Sequence, residues 1–129
     1  MQVVGSEQLN GEKINFASHM QRSIDLACKR LTTTPNPRVG CVLVDSGDRI
    51  LGEGWHLAAG QPHAEVMALE QAGSKAKNST AFVSLEPCSH TGRTAPCTEA
   101  LIVAGVSCVV IASVDPDPRV NGKGISKLE

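Results

Sequence analysis

The sequence predicts an α/β fold, a three-layer α/β/α sandwich around a mixed central sheet. The chain has 129 residues, a length typical of one domain. Two short, nearly continuous apolar runs, 80–85 and 106–112, are typical of strands buried on both faces, as in a parallel sheet. A helical segment, 96–104, lies between them, with proline at its start and glycine after its end. This order predicts a strand–helix–strand crossover that packs a helix on the sheet.

The N-terminal part of the chain divides into two segments. Residues 1–16 show no sustained hydrophobic period, and we interpret them as a flexible or loosely attached arm before a domain that spans 17–129. Residues 17–31 carry apolar side chains at intervals of three and four, which predicts an amphipathic helix. Pro35 and Pro37 exclude its continuation.

A hairpin and a second helix follow. Residues 39–45 and 49–55 are strand-like runs on either side of a Ser-Gly-Asp turn, which predicts a β-hairpin. Pro62 opens the next helix and Gly73 ends it. With the crossover, the predicted order of elements is α, β, β, α, β, α, β.

Composition excludes several classes of function. Twelve basic and thirteen acidic residues leave a net charge of −1, and aromatic residues make up only 2%. We expect no nucleic-acid partner, because such binders carry basic stripes and stacking aromatics. No apolar stretch approaches the roughly 18 residues of a membrane helix, and the N-terminus lacks the features of a secretory signal. We therefore expect no membrane partner and a cytoplasmic location.

The cysteines fall into two groups. Their number, five, is odd and fits a reducing compartment better than a disulfide framework. Cys28, Cys41 and Cys108 lie among apolar residues and are predicted to be buried free thiols. Cys88 and Cys97 have polar, glycine and proline neighbours, a composition typical of a loop.

His63, Cys88 and Cys97 are the candidate metal ligands, and Glu65 is the candidate catalytic residue. One histidine and two cysteines supply three ligands of a tetrahedral zinc ion and leave the fourth position to water, as catalytic zinc sites do. Glu65 would take the proton from that water and pass it to a leaving group. His63 and Glu65 can share one site only within the first turn of a helix, because side chains two apart in mid-helix diverge.

These residues match a known signature. His-x-Glu combined with Pro-Cys-x-x-Cys marks zinc nucleobase deaminases, although here eight residues separate the two cysteines. Residues 86–97 closely resemble the deaminase domain of the bifunctional deaminase-reductases of riboflavin biosynthesis, in the cytidine deaminase-like superfamily. Further matching segments occur in the same order, at 34–40, 52–56, 62–65 and 115–124.

The resemblance implies a reaction and further site residues. The reaction is the hydrolytic removal of an amino group from a diaminopyrimidinone ribosylamino 5′-phosphate, a small pyrimidine ribotide, with one zinc ion per chain. By position, Asn36, His56, His90 and Arg93 are expected to contact this substrate. An arginine in a glycine-containing loop also suits a phosphate group.

The chain departs from the pattern of this family at its C-terminus. These 129 residues contain no segment that resembles the reductase domain of the family, so NADPH is not expected as a cofactor, and the deaminase domain itself is expected to be truncated. A sheet that lacks its last strand would expose an edge, so we expect a homo-oligomer or a covered edge. Two alternatives stay open: a deaminase of another small nucleobase or nucleotide, and a non-catalytic, zinc-stabilised remnant. Glu65 distinguishes them, because a structural zinc site has no use for it.

Overall fold

The computed structural model describes residues 2–5, 15–28, 39–55, 63–84 and 97–112, the first of these ranges by its backbone alone. Apart from one hairpin of two consecutive strands, helices and strands alternate along these ranges, and a 3₁₀ turn, Gly73–Ala76, follows the second helix. In chain order the elements are β1 (Gln2–Gly5), α1 (Phe16–Ala27), β2 (Gly40–Val44), β3 (Ile50–Trp55), α2 (Ala64–Ala72), β4 (Thr80–Val83), α3 (Cys97–Val103) and β5 (Cys108–Ile111).

The strands described form one mixed sheet. Their order is β1-β5-β4-β2-β3. β2 runs antiparallel to both β3 and β4, whereas β4 and β5 are parallel and are joined through α3. The predicted hairpin and the predicted strand–helix–strand unit are therefore both confirmed.

Both faces of the sheet are covered, which confirms the three-layer architecture. Side chains alternate along a strand, so β2, β4 and β5 each contribute to two apolar clusters. On the face covered by α2 and α3 the buried residues include Cys41, Leu43, Ala64, Ala68, Ala81, Val83, Leu101, Val109 and Ile111. On the face covered by α1 they are Met20, Leu26, Val42, Val44, Phe82, Cys108 and Val110.

The interpretation of the N-terminus as an arm is wrong for residues 2–5. They form β1, which pairs antiparallel with β5 from Gln2 opposite Ile111 to Gly5 opposite Cys108. β1 covers an edge of β5, and a covered edge was one of the two outcomes expected from the sequence, the other being a homo-oligomer. Four residues are too few to show a period, and their partner lies about a hundred residues further along the chain, so no local signal predicts this pairing.

The buried side of α1 also differs from the expectation. The spacing of apolar residues predicted that Ile24 and Cys28 would lie on the buried side of α1. Ile24 is instead exposed, and Cys28 is an exposed residue of the turn that ends the helix. The prediction of Cys28 as a buried thiol is therefore wrong, whereas Cys41 and Cys108 are buried as predicted. The side that faces the sheet carries polar residues among the apolar ones: His19, Met20, Ser23 and Leu26.

The buried histidine of this helix connects α1 to the hairpin. His19 Nε2 lies 2.5 Å from Asp48 Oδ1, and the same oxygen accepts a hydrogen bond from the backbone N–H of Asn15. The ring of His19 packs against Phe82, with centroids 5.4 Å apart. These contacts fix the start of α1 against the hairpin turn.

Asp48→Asn is expected to destabilise the protein at pH 7, by an amount that shrinks as the pH falls. The hydrogen bonds from His19 and from the Asn15 backbone lower the pKa of Asp48 below its usual value of 3.8. The carboxylate therefore contributes stability above its unfolded pKa, and this contribution is lost as the pH falls through the lowered value. Asparagine tolerates the positive φ of 70° at this position.

Urea unfolding of Asp48→Asn and the parent protein, at steps between about pH 5 and about pH 2, measures this difference. The two unfolding midpoints should converge towards the acid end. A difference in midpoint that stays constant over the whole range would contradict a role for the charge of Asp48.

Within the described ranges, no helix is long and apolar enough to cross a lipid bilayer.

Candidate active site

The candidate site lies where two helices begin, at one end of the sheet. His63 is the N-cap residue of α2, and Cys97 is the first residue of α3. α3 follows β4, so Cys97 comes after the carboxyl end of a parallel strand. Sites of α/β proteins usually form at such ends. The location at helix starts and strand ends agrees with the sequence prediction.

His63 and Cys97 are in direct contact. Their Nδ1 and Sγ atoms lie 3.2 Å apart, although the residues are 34 positions apart in the sequence. The backbone of His63 is extended, with φ −72° and ψ 164°, and its imidazole does not cap the helix. The ring instead contacts the cysteine of α3.

The separation of these two atoms suits a shared metal ion. Zinc–nitrogen distances of about 2.05 Å and zinc–sulfur distances of about 2.3 Å place two tetrahedral ligand atoms about 3.5 Å apart. The observed 3.2 Å is within a few tenths of an ångström of this value. Imidazole nitrogen and thiolate sulfur are also the ligands that zinc prefers. The donor pair therefore fits zinc.

Glu65 lies on the same helical turn as His63. It is the second residue of α2 and is only 3% exposed. The N-terminus of a helix favours a negative charge, which offsets part of the cost of burying the carboxylate. The start of α2 thus carries an imidazole and a buried carboxylate two residues apart in the sequence.

A close backbone contact sets the position of α2. A Cβ atom placed on Gly54 of β3 would lie 2.1 Å from the carbonyl oxygen of Ala64, and one on Gly52 would lie 2.3 Å from that of Ala68. Only glycine allows the helix to approach the strand this closely. No role for Gly54 was predicted from the sequence. The sequence does contain a pattern typical of such a close contact: two glycines two residues apart in a strand, and alanines four residues apart in the helix that follows.

A buried cysteine of β2, Cys41, lies near Glu65. Cys41 of β2 is buried and pairs with Gly54 on one side and with Val83 on the other. Burial raises the pKa of the Cys41 thiol well above its usual range, and the negative charge of Glu65 raises it further. Cys41 therefore remains a neutral thiol at neutral pH and is a poor metal ligand, because metals bind the thiolate.

Five of the predicted site residues lie outside the described residues, and their predicted roles stay predictions. Within the described ranges, no three histidine, cysteine, aspartate or glutamate side chains are grouped so that they could hold a metal ion. The described part of the predicted ligand set is the pair His63 and Cys97. The residues outside are Cys88, Asn36, His56, His90 and Arg93.

The fold and the paired helix starts define a class of protein. The chain belongs to the zinc-binding deaminases: the family model described as the cytidine and deoxycytidylate deaminase zinc-binding region matches residues 15–113. The α/β fold, the superfamily and a zinc-binding deaminase domain, all predicted from the sequence, are thereby confirmed.

Individual relatives narrow the comparison to riboflavin biosynthesis. Riboflavin biosynthesis protein RibD of Haemophilus influenzae is 61% identical over 110 residues, which cover 84% of this chain and 29% of that protein. The diaminohydroxyphosphoribosylamino-pyrimidine deaminase of Buchnera aphidicola subsp. Schizaphis graminum is 52% identical over 111 residues, 85% of this chain and 75% of that protein.

A solved structure agrees with these relatives. RibD of Acinetobacter baumannii superimposes with a TM-score of 0.83 and 54% identity, over 88% of this chain and 32% of that one. The chain thus spans about a third or less of the RibD proteins that it matches. The resemblance inferred from residues 86–97 and the shorter segments is confirmed.

Proposed function

We propose that this chain catalyses the zinc-dependent hydrolytic deamination of the diaminopyrimidinone ribosylamino 5′-phosphate of riboflavin biosynthesis, with release of ammonia. The observation that carries the proposal is the 3.2 Å contact between His63 Nδ1 and Cys97 Sγ, beside the buried Glu65. The substrate is supported by the relatives named for this reaction, of which the Buchnera deaminase is covered over three quarters of its length.

His63, Cys97 and Cys88 would hold one zinc ion, which would polarise a water molecule in the fourth position. Two thiolates and a neutral imidazole cancel the charge of the metal. The ligand set therefore acidifies a water molecule less than three histidines would, and the site needs a separate base. The proposed reaction transfers no electrons, so it requires no NADPH.

Glu65 would carry the proton. Its carboxylate takes one proton from water while the water oxygen bonds to the ring carbon that bears the amino group. The protonated Glu65 gives that proton to the neighbouring ring nitrogen. It then takes the second proton from the new hydroxyl group and gives it to the amino nitrogen, so that the carbon–nitrogen bond breaks and ammonia leaves. The ring keeps the oxygen as a carbonyl.

Four further residues would bind the substrate. Arg93 would pair with the 5′-phosphate, because a guanidinium group forms two parallel hydrogen bonds to phosphate oxygens. Asn36 stands between two prolines in the sequence, which restrict the conformations open to its backbone. His56 and His90 would contact the remaining polar groups of the ribotide. The preference for a phosphorylated substrate rests on these residues.

Removal and replacement of the metal tests the proposed reaction. The chelator-treated protein is expected to release no ammonia from the ribotide, and zinc should restore release where magnesium does not, because nitrogen and sulfur ligands select zinc. Cytidine serves as the comparison substrate, since the family model is named for cytidine deamination. A preference for cytidine would favour a different deaminase. A folded protein with one zinc that released no ammonia from either substrate would indicate a non-catalytic zinc domain.

A further inference from the structure

The hydroxyl group of Thr98 is a buried polar group next to the proposed metal ligand Cys97. Thr98 is fully buried, and within the described part of the chain its Oγ1 is the one buried side-chain oxygen or nitrogen without a hydrogen-bond partner. Such a group costs free energy, because it gave up its hydrogen bonds to water and gained none in return. Valine would fill the same volume without this cost, so the hydroxyl calls for an explanation.

Thr98 directly follows the proposed ligand Cys97 in α3. Cys97, Thr98 and Leu101 form the buried side of α3, and Cys97 Sγ lies 3.2 Å from His63 Nδ1. A protonated thiol accepts hydrogen bonds weakly, whereas a thiolate bound to a metal is charged and accepts them strongly. Threonine in a helix populates two χ1 rotamers, so the hydroxyl can turn without a change of the backbone.

We propose that Thr98 is a positioning residue: its hydroxyl donates a hydrogen bond to the Cys97 thiolate and so fixes Cys97 as a zinc ligand. This inference rests on the proposed function, in which Cys97 binds zinc. The hydroxyl is then unpaired in the metal-free state and paired in the metal-loaded state. Hydrogen bonds of this kind orient the ligands of metal sites and strengthen metal binding.

Thr98→Val separates this role from a structural one, because it removes the hydroxyl and keeps the shape. Without metal, the variant is expected to unfold about 4 °C above the parent, since an unpaired buried hydroxyl is gone. Its affinity for zinc, measured by competition with a chromophoric chelator, should fall about tenfold. Thr98→Ser keeps the hydroxyl and should retain the zinc affinity of the parent, although the lost methyl group lowers its stability.

Cobalt substitution gives a readout that is independent of activity. Loss of a hydrogen bond to the thiolate should shift the sulfur-to-cobalt charge-transfer band of Thr98→Val, and also of Thr98→Ala, while Thr98→Ser keeps the band of the parent. If the parent binds one zinc ion and Thr98→Val binds it equally well with an unshifted cobalt band, the role of Thr98 is overturned and the proposed function stands. If the parent itself binds no zinc, both are overturned.

Discussion

Glu65→Gln is expected to lower the turnover of the zinc-loaded protein about a thousandfold, a value typical of the loss of a general acid–base group. This loss corresponds to about 4 kcal/mol of transition-state stabilisation. Glutamine keeps the size and the polar character of the side chain but cannot take a proton from water. The measurement is kcat for ammonia release, together with the zinc content of the same sample.

Glu70→Gln is the matched control for this prediction. Glu70 belongs to the same helix, but it is exposed and lies more than a turn beyond Glu65. This variant should keep the turnover and the zinc content of the parent. Unchanged turnover in a zinc-loaded Glu65→Gln protein would show that another group carries the proton. Loss of zinc from Glu65→Gln would instead mean that the Glu65 carboxylate is needed for zinc binding.

Parts of the fold that depend on local signals could be predicted from the sequence. The hairpin is one example, because its turn is fixed by neighbouring residues: Asp45 Oδ1 accepts hydrogen bonds from the backbone N–H groups of Gly47 and Arg49. The unit of β4, α3 and β5 is another, since apolar runs and flanking proline and glycine residues mark it. β1 could not be predicted, because its pairing with β5 is a long-range contact between two short segments.

The candidate site divides in the same way. His63 and Cys97 could be placed at helix starts because proline precedes both helices, and two helix starts at one end of a sheet bring them within 3.2 Å. Cys41 and Thr98 were not expected at the site, because their significance depends on tertiary packing. Cys41 is a buried thiol whose pKa is raised by the nearby charge of Glu65, and Thr98 carries a buried hydroxyl directly after the proposed ligand Cys97. Neither residue type in the sequence indicates such a role.

The side of α1 that faces the sheet shows why periodicity alone can mislead. The spacing of Ile24 from its apolar neighbours predicted an apolar buried side of α1 that includes Ile24. The residues that face the sheet instead include the polar His19 and Ser23. Both are polar and both are satisfied: His19 by Asp48, and Ser23 by a hydrogen bond of its hydroxyl to the Met20 carbonyl oxygen at 2.8 Å. Polar residues with internal partners can occupy a buried face at little cost. A count of apolar residues does not detect them.

Gly54→Ala is expected to lower both the stability of the protein and its affinity for zinc. The new Cβ would lie 2.1 Å from the Ala64 carbonyl oxygen and 2.9 Å from the Ala68 amide nitrogen, both of them backbone atoms. Ordinary contact begins at 3.4 Å, so the first turn of α2 would have to retreat by about 1.3 Å from β3. Overpacking of this kind costs about 1 to 3 kcal/mol.

The displaced turn is the one that carries His63 and Glu65, which is why the effect should extend to the metal. Zinc sites tolerate changes in ligand distance of only about 0.2 Å. β3 is held in place by its ladder with β2, in which Gly54 pairs with Cys41, so α2 is the element that moves. We expect zinc affinity to fall about tenfold, as when supporting residues of metal sites are changed. Competition with a chromophoric chelator measures it.

Gly52→Ala is the matched control, because it makes a comparable clash one turn further along the helix. Its Cβ would lie 2.3 Å from the Ala68 carbonyl oxygen and 3.1 Å from the Ala72 amide nitrogen. Both variants should therefore lose similar stability in chemical unfolding, but only Gly54→Ala should lose much of its zinc affinity. Equal zinc affinity in the two variants would mean that α2 yields as a rigid body. The close contact at Gly54 would then serve the packing of the helix and not the geometry of the site.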